Sequence, residues 1–560
     1  MSGRVLFPSW FSLEWVGGWL AVVAAATVLR PHLPVDETRY LAVAWEMWRD
    51  GNFLVPHLNG ETYSHKPPLL FWLMELGWVV FGVNDWTPRL VAPLFGLGTL
   101  TLTMALAARL WPEDARAARL APLILFGSVF FAVFTTLTMF DLILAFFAVL
   151  ALLGLVIAAQ GRIGSGMLTC GVAIGIGVLA KGPAILLHVL PAALAAPLWA
   201  PGLSRARLPS WGRWYAGVAS AVLIGATIGL AWAIPAAFAG GPRFAHEIFV
   251  GQSAGRMVES FAHGRPFWWF AAWLPILFLP WTIWPTLWTA ARGRELAARI
   301  GADAGLRLCL IWFAVAFIAF SLISGKQLHY LLPEFPALAL VAARLLAAAD
   351  KPAVSPPRTS AWFVAAAPAL FLFSATTLAG LLPILPGTGR LLARLEGVAF
   401  AWMALPALAA LAVAFLAGRG RLSAPENTAA ALVILMAVVI AGVHLAARPL
   451  LGVAYDLSPT ARRLKAWEDA GEPIAHVAKY HGQFHFSGRL NKPIAVIGLT
   501  GHDVEAWLAA NAKGKVISYR DQLPPPGEPQ PLSADSFRDG WVVIWDRDQL
   551  ARFPRSVYRD

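Results

Sequence analysis

Residues 31–68 read PHLPVDETRYLAVAWEMWRDGNFLVPHLNGETYSHKPP, and the fold of the whole chain is decided by how this stretch is placed. It gathers Asp36, Glu37, Arg39, Tyr40, Tyr63, His65 and Lys66 into one loop of a 560-residue chain that is 58% hydrophobic and only 14% charged. An apolar segment, roughly 13–29, precedes it and many more follow. Ionisable groups beside a bilayer are costly, so a dense cluster of them there marks a site. Within the loop, Tyr40, Leu41, Val43, Ala44, Met47 and Trp48 recur at i, i+3, i+4 spacing. That spacing predicts one apolar face of a short helix on the membrane surface, ended by Gly51-Asn52.

Working outward, apolar runs lie near 13–29, 67–83, 90–108, 118–134, 142–159, 166–180, 183–200, 215–238, 267–289, 307–323, 328–347, 361–384, 397–417 and 428–447. Most are long enough to cross a bilayer as helices. The short alternating segments of a membrane β-barrel are absent. With mean hydropathy +0.63, this is a mainly α, polytopic helical bundle. The net charge of +12 would suggest nucleic acid in a soluble domain. Here the arginines fall largely in short loops between spans, where positive-inside topology explains them, and no nucleic-acid partner is implied. Cys170 and Cys309 both lie in apolar runs, so no disulfide framework is expected. Tryptophans in the first segment and the polar loop after it favour an uncleaved anchor over a signal peptide.

Basic loops lie at 109–119, 201–214, 292–307, 344–358 and 419–421. If every run crossed, all five would lie outside, against the positive-inside rule. If 67–83 does not cross, all five face the cytoplasm. That run opens with Pro67-Pro68 and carries Glu75 at its middle, so it reads as an interfacial or partly re-entrant helix, leaving about thirteen spans. Loop 31–66, Asp141, Lys181, loop 240–266, Ser324-Gly325-Lys326 and the tail then fall on the outer face. Arg390 and Arg394 fall there too, against the rule.

Beyond His444 the composition changes. Residues 448–560 predict a small α/β or α+β domain, with helical patterns at 458–470 and 502–512 and strands at 474–480, 493–498, 515–519 and 541–545. The expected organisation is a transmembrane domain over 1–447, holding a first outer loop at 31–84 and a second at 240–266, followed by this tail.

The run D-E-T-R-Y, then P-H-L-N-G, then Y-x-x-K-P-P resembles the first periplasmic loop of the aminoarabinose transferases of lipid A. These are GT-C glycosyltransferases of the bacterial inner membrane that use a polyprenyl-phosphate sugar donor. The resemblance implies an undecaprenyl-phosphate sugar donor, a lipid A phosphate acceptor and a periplasmic active site in a membrane lipid setting. It makes Asp36, Glu37 and Asp141 the acids of the site. It makes Lys66 and Tyr63 ligands of the donor phosphate, with Arg39, Tyr40, Arg256, Arg265, Lys326 and Tyr330 as further candidates and Lys181-Gly182-Pro183 as a family turn. No cofactor is required. In the family a glutamate before K-P-P is associated with zinc; here His65 stands in that place, and with His263 or His246 it forms at most a sparse metal constellation.

Each candidate has an ordinary alternative. Asp36 and Asp141 each stand where a helix N-cap is expected. Lys66, Lys181 and Lys326 are placed to snorkel or anchor. Arg256, His263 and Arg265 could form a solvated basic loop, and His65 an interfacial histidine. A protein O-glycosyltransferase of the same superfamily remains a rival, distinguished by its acceptor. A transporter is a further rival, disfavoured because the ionisable groups lie at span ends rather than at mid-membrane.

Overall fold

The computed structural model describes residues 14–203, 209–255, 264–291, 294–348, 424–498 and 501–552, with short pieces within 408–422. Among the described residues, seven helices are long and apolar enough to cross a membrane, or eight if the bent pair Ala184–Leu194 and Ala196–Gly202 is one span. The figure of thirteen is therefore not established. Most of the runs 361–384 and 397–417 lies outside the described residues. Two other runs are broken. Run 118–134 divides at Ser128 into α5 (Ala115–Gly127) and α6 (Val129–Phe134), and the Ser128 hydroxyl donates to the Leu125 carbonyl at 2.7 Å. Run 267–289 divides into Trp269–Leu277, a 3-10 turn at Trp281–Ile283, and Pro285–Ala290.

The spans alternate between two ends. Helix α1 (Glu14–Leu29) leads to Arg30, beside the first loop. Helix α4 (Thr87–Leu110) starts there, where Arg89 donates to the carbonyls of Thr27 and Arg30, both at 2.7 Å. It ends at Arg109, which pairs with Gln160 just beyond α7 (Asp141–Ala159). At that far end Arg344 bridges Asp114 and Asp303, and Arg116 pairs with Glu426. Three of the basic loops thus meet at one end, and the first loop sits at the other.

Helix α2 (Asp36–Asp50) begins four residues before the apolar face expected from the sequence. That face is covered by protein: Tyr40, Leu41, Val43, Ala44 and Met47 are all buried. Helix α3 (Leu69–Phe81) has 13 residues, about 20 Å of helix against about 30 Å of hydrocarbon. It is preceded by Lys66 and followed by Asp85, which pairs with His32 of the same first loop. Both its ends therefore lie at one end of the bundle, and it does not cross. Leu76, Val79, Val80 and Phe81 are exposed while Phe71, Met74 and Trp78 are buried, as an interfacial helix requires.

The boundary expected at 447 falls inside a helix that runs from Pro425 to Tyr455. The tail then forms a five-stranded sheet of order β4-β3-β5-β7-β6. Its strands are β3 (Ile474–Val477), β4 (Ala495–Ile497), β5 (Lys515–Arg520), β6 (Ser533–Phe537) and β7 (Gly540–Trp545). Strands β4, β3 and β5 are parallel, and β7 and β6 antiparallel. Helices Ser458–Asp469 and Gly501–Ala510 complete it.

The tail docks on the first loop. The two-stranded hairpin β1 (His57–Leu58) and β2 (Glu61–Thr62) turns at Asn59-Gly60. Asn59 exchanges two 2.8 Å hydrogen bonds with the main chain of Ile494. Trp45 donates to the Leu490 carbonyl at 2.9 Å, and Trp78 stacks on Phe486.

Candidate active site

Asp36 is the first residue of α2, not its cap. Val35 holds that place and makes no side-chain cap hydrogen bond. The carboxylate of Asp36 instead pairs with Arg39 and accepts from the Tyr40 hydroxyl at 3.3 Å, while remaining half exposed. A carboxylate at the positive end of a helix is stabilised there.

Glu37 points the other way and is buried. Both its oxygens are engaged: Arg30 forms an ion pair, and the amides of Leu33 and Thr138 each donate at 2.8 Å. Burial alone would raise its pKa, but Arg30 and these amides outweigh it and hold the carboxyl at about 2. Glu37 thereby ties α1, α2 and the turn before α7 together. Its carboxylate is turned into the protein, away from solvent.

Asp141 opens α7, again without a cap hydrogen bond, so capping explains neither acid. It is buried and paired with Lys181, the last residue of α8 (Ile163–Lys181). The Lys181-Gly182-Pro183 turn fixes that lysine. Gly182 has φ +72 with nothing within 4 Å of an added Cβ, so the conformation rather than crowding requires glycine. Lys181 Nζ also lies 5.2 Å from the Tyr330 ring centroid. Lys66, held by Pro67, brings its ammonium 5.9 Å from the ring of Phe140, which itself packs edge-on against Tyr40 and Phe71. Tyr63 stacks on His65 and meets Phe71.

Beside Tyr330 is His329, which the sequence reading passed over. It stands in the 3-10 turn Leu328–Glu334, which packs on α7, the helix that Asp141 opens. It lies edge-on to Tyr330 at 5.0 Å between centroids. A detectable signal existed: it is an ionisable residue beside Tyr330 at the start of an apolar run. Arg30 was missed because a lone arginine after an apolar helix reads as an anchor. A buried pair beneath, His188 with Glu334, also went unread.

The remaining candidates are placed differently. Lys326 is buried and donates to the main-chain carbonyls of Arg265, at 3.0 Å, and Ile323. With the bridge between Gly264 and Gly325, it clasps two segments together. Arg265 is exposed. Arg256 and His263 lie outside the described residues. The first part of the expected loop 240–266 is helical: the helix Trp211–His246 kinks at Gly241 and a π-helix covers Glu247–Gly255. It packs on the first loop through Phe244 and Val55. Among the described residues no group of three or more His, Cys, Asp or Glu could hold a metal ion, and His65 is exposed.

A bundle of helices long and apolar enough to cross a membrane, with a polar first loop folded over its end and lysines set beside carboxylates, defines a multi-pass helical membrane protein. Residues 65–232 match the model of the dolichyl-phosphate-mannose-protein mannosyltransferase family. Curated relatives include an undecaprenyl phosphate-alpha-4-amino-4-deoxy-L-arabinose arabinosyl transferase from Enterobacter sp. (strain 638). It is 31% identical over 318 residues, 55% of this chain and 54% of that protein. One from Pseudomonas fluorescens (strain Pf0-1) is 29% identical over 358 residues, 60% of this chain and 58% of that protein. The chain spans little more than half the length of these relatives in the match. The fold is that of ArnT from Cupriavidus metallidurans. Its apo structure superposes with TM-score 0.72 at 21% identity, covering 95% of this chain and 97% of that one. Its structure bound to undecaprenyl phosphate gives 0.70 at 20%, with the same coverage. The likeness read from the first loop is thus matched by sequence similarity to aminoarabinose transferases over part of their length and by the fold of one of them.

Proposed function

We propose that this protein transfers an aminoarabinose-type sugar from undecaprenyl phosphate to a phosphate of lipid A, at the periplasmic face of the bacterial inner membrane. The observation that carries the reading is the run of contacts at the end of the bundle that joins Asp36 through Tyr40 and Phe140 to Lys66, beside the Asp141–Lys181 pair and Tyr330. Lys66, Lys181 and Tyr63 receive the donor phosphate; a lysine ammonium supplies compact charge for that purpose. An acceptor phosphate oxygen attacks the anomeric carbon as the bond from that carbon to the donor phosphate breaks. Undecaprenyl phosphate leaves with the electron pair, its growing charge met by the lysines. An ionised acceptor phosphate needs no base, so Asp36 orients, with Arg39 and Tyr40. Glu37 and Lys326 hold the architecture; Arg265 remains a candidate, and Arg256 one by sequence alone.

The match to a protein mannosyltransferase family keeps a hydroxyl acceptor as a second reading, in which Asp36 becomes the general base. Purified protein, undecaprenyl-phosphate aminoarabinose and either lipid A or a peptide acceptor decide between them. Transfer to lipid A that is lost in Lys66→Ala and Asp36→Asn supports the first reading. Near-normal turnover in both variants removes the site assignment, and transfer to peptide alone selects the second.

A further inference from the structure

The tail carries one feature that architecture alone does not require. Between β3 and the short helix His485–Gly488, the chain Ala478-Lys479-Tyr480-His481-Gly482-Gln483 is laid on α2. Gly482 shows how close the approach is. It has φ +77, and a Cβ there would stand 2.8 Å from the Cβ of Ala42 and 2.5 Å from a methyl of Leu58. Ala42 is one turn along α2 from Arg39. The loop is also held from behind. Buried Gln483 accepts from the His481 amide at 3.0 Å and donates to the Tyr519 hydroxyl at 2.6 Å. Ala478, a non-glycine at φ +67, is in a conformation that persists only where the surroundings impose it. A loop braced on both sides leaves Lys479 exposed and His481 half-buried.

We propose that this loop is the outer wall of the site, and that His481 and Lys479, with Arg39, receive the phosphate of the acceptor. The inference rests on the transferase reading above and names the second anion subsite that it needs. Transfer between two phosphorylated lipids brings two anions together. The inner cations, Lys66 and Lys181, serve the donor. The acceptor must come over the outer side, where Asp36 is half exposed and the tail loop lies. The close approach of Gly482 to Ala42 sets the neighbouring His481 beside the turn of α2 that carries Arg39 and Asp36.

The test uses full-length protein in detergent with undecaprenyl-phosphate aminoarabinose as donor and lipid A as acceptor. His481→Ala and Lys479→Ala should each raise the acceptor KM about tenfold, the scale of one charge-assisted contact, with the donor KM within about twofold of wild type. His481→Lys should restore most of the loss, which a merely structural histidine would not allow. Gly482→Val, which lifts the loop from α2, should raise the acceptor KM without changing retention of bound undecaprenyl phosphate. Acceptor KM values within about twofold of wild type in both His481→Ala and Lys479→Ala overturn the assignment, as does a change confined to the donor KM. Wild-type protein that transfers nothing to lipid A overturns the transferase reading itself, so the two failures are distinguishable.

Discussion

Replacing Glu37 with glutamine tests whether this carboxylate builds the site or performs chemistry in it. The side chain is 3% exposed and faces Arg30, 4% exposed, with the Leu33 and Thr138 amides on its oxygens. Its carboxyl is held at about 2, against an ordinary value near 4; at about 1.4 kcal/mol per pH unit this contributes ~3 kcal/mol to stability. Breaking a buried ion pair from one side typically costs about 3–5 kcal/mol, the same scale. Because the folded-state pKa lies below the unfolded one, the stabilisation is complete above about pH 4 and is lost only as pH falls toward 2. Tryptophan-fluorescence melting in detergent should therefore show Glu37→Gln well below wild type, by the same margin at pH 8 and pH 5. Adding Arg30→Met should recover part of the loss, since it removes the stranded cation. A melting temperature within about 1 °C of wild type, with turnover abolished, would refute the structural role and make Glu37 a reacting group.

Three further outcomes follow from the same geometry. Asp141→Asn or Lys181→Met alone should lower both stability and donor affinity, and the double variant should melt higher than either single one, measured by melting and by undecaprenyl-phosphate binding. Asn59→Ala removes two hydrogen bonds to Ile494 and should cost about 1–3 kcal/mol in melting experiments. With Cys170 and Cys309 replaced, a single cysteine at Ser487 should react with a membrane-impermeant thiol reagent on intact spheroplasts while one at Arg116 does not; labelling at 116 alone reverses the orientation.

The parts of this fold legible in sequence were those with a local physical cause. Charge parity exposed α3 as a non-crossing helix, and the structure agrees because both its ends meet the first loop. In the tail, strands at Lys515–Arg520 and Gly540–Trp545 were visible as apolar runs. Strand β6, Ser-Ala-Asp-Ser-Phe, was not, because an edge strand carries polar residues. The breaks at Ser128 and before Trp281 were hidden inside uniformly apolar stretches, where hydropathy does not see where a helix stops. At the site, Asp36, Lys66, Asp141 and Lys181 were legible as charges in a chain that has few. His329 and His481 were not, since their meaning comes from tertiary approach: one is brought to α7 by packing of its turn, the other to α2 by docking of a domain more than 400 residues later in the chain. The expectation for Lys326 as a phosphate ligand met main-chain carbonyls instead, because segment 264–266 lies directly over it.

The most direct measurement is mass spectrometry of lipid A from cells with and without this gene, complemented by wild type and by Lys66→Ala. The account predicts aminoarabinose on lipid A phosphate in cells carrying the wild-type gene, its loss on deletion, and no recovery with Lys66→Ala. Identical lipid A in all four strains would contradict it.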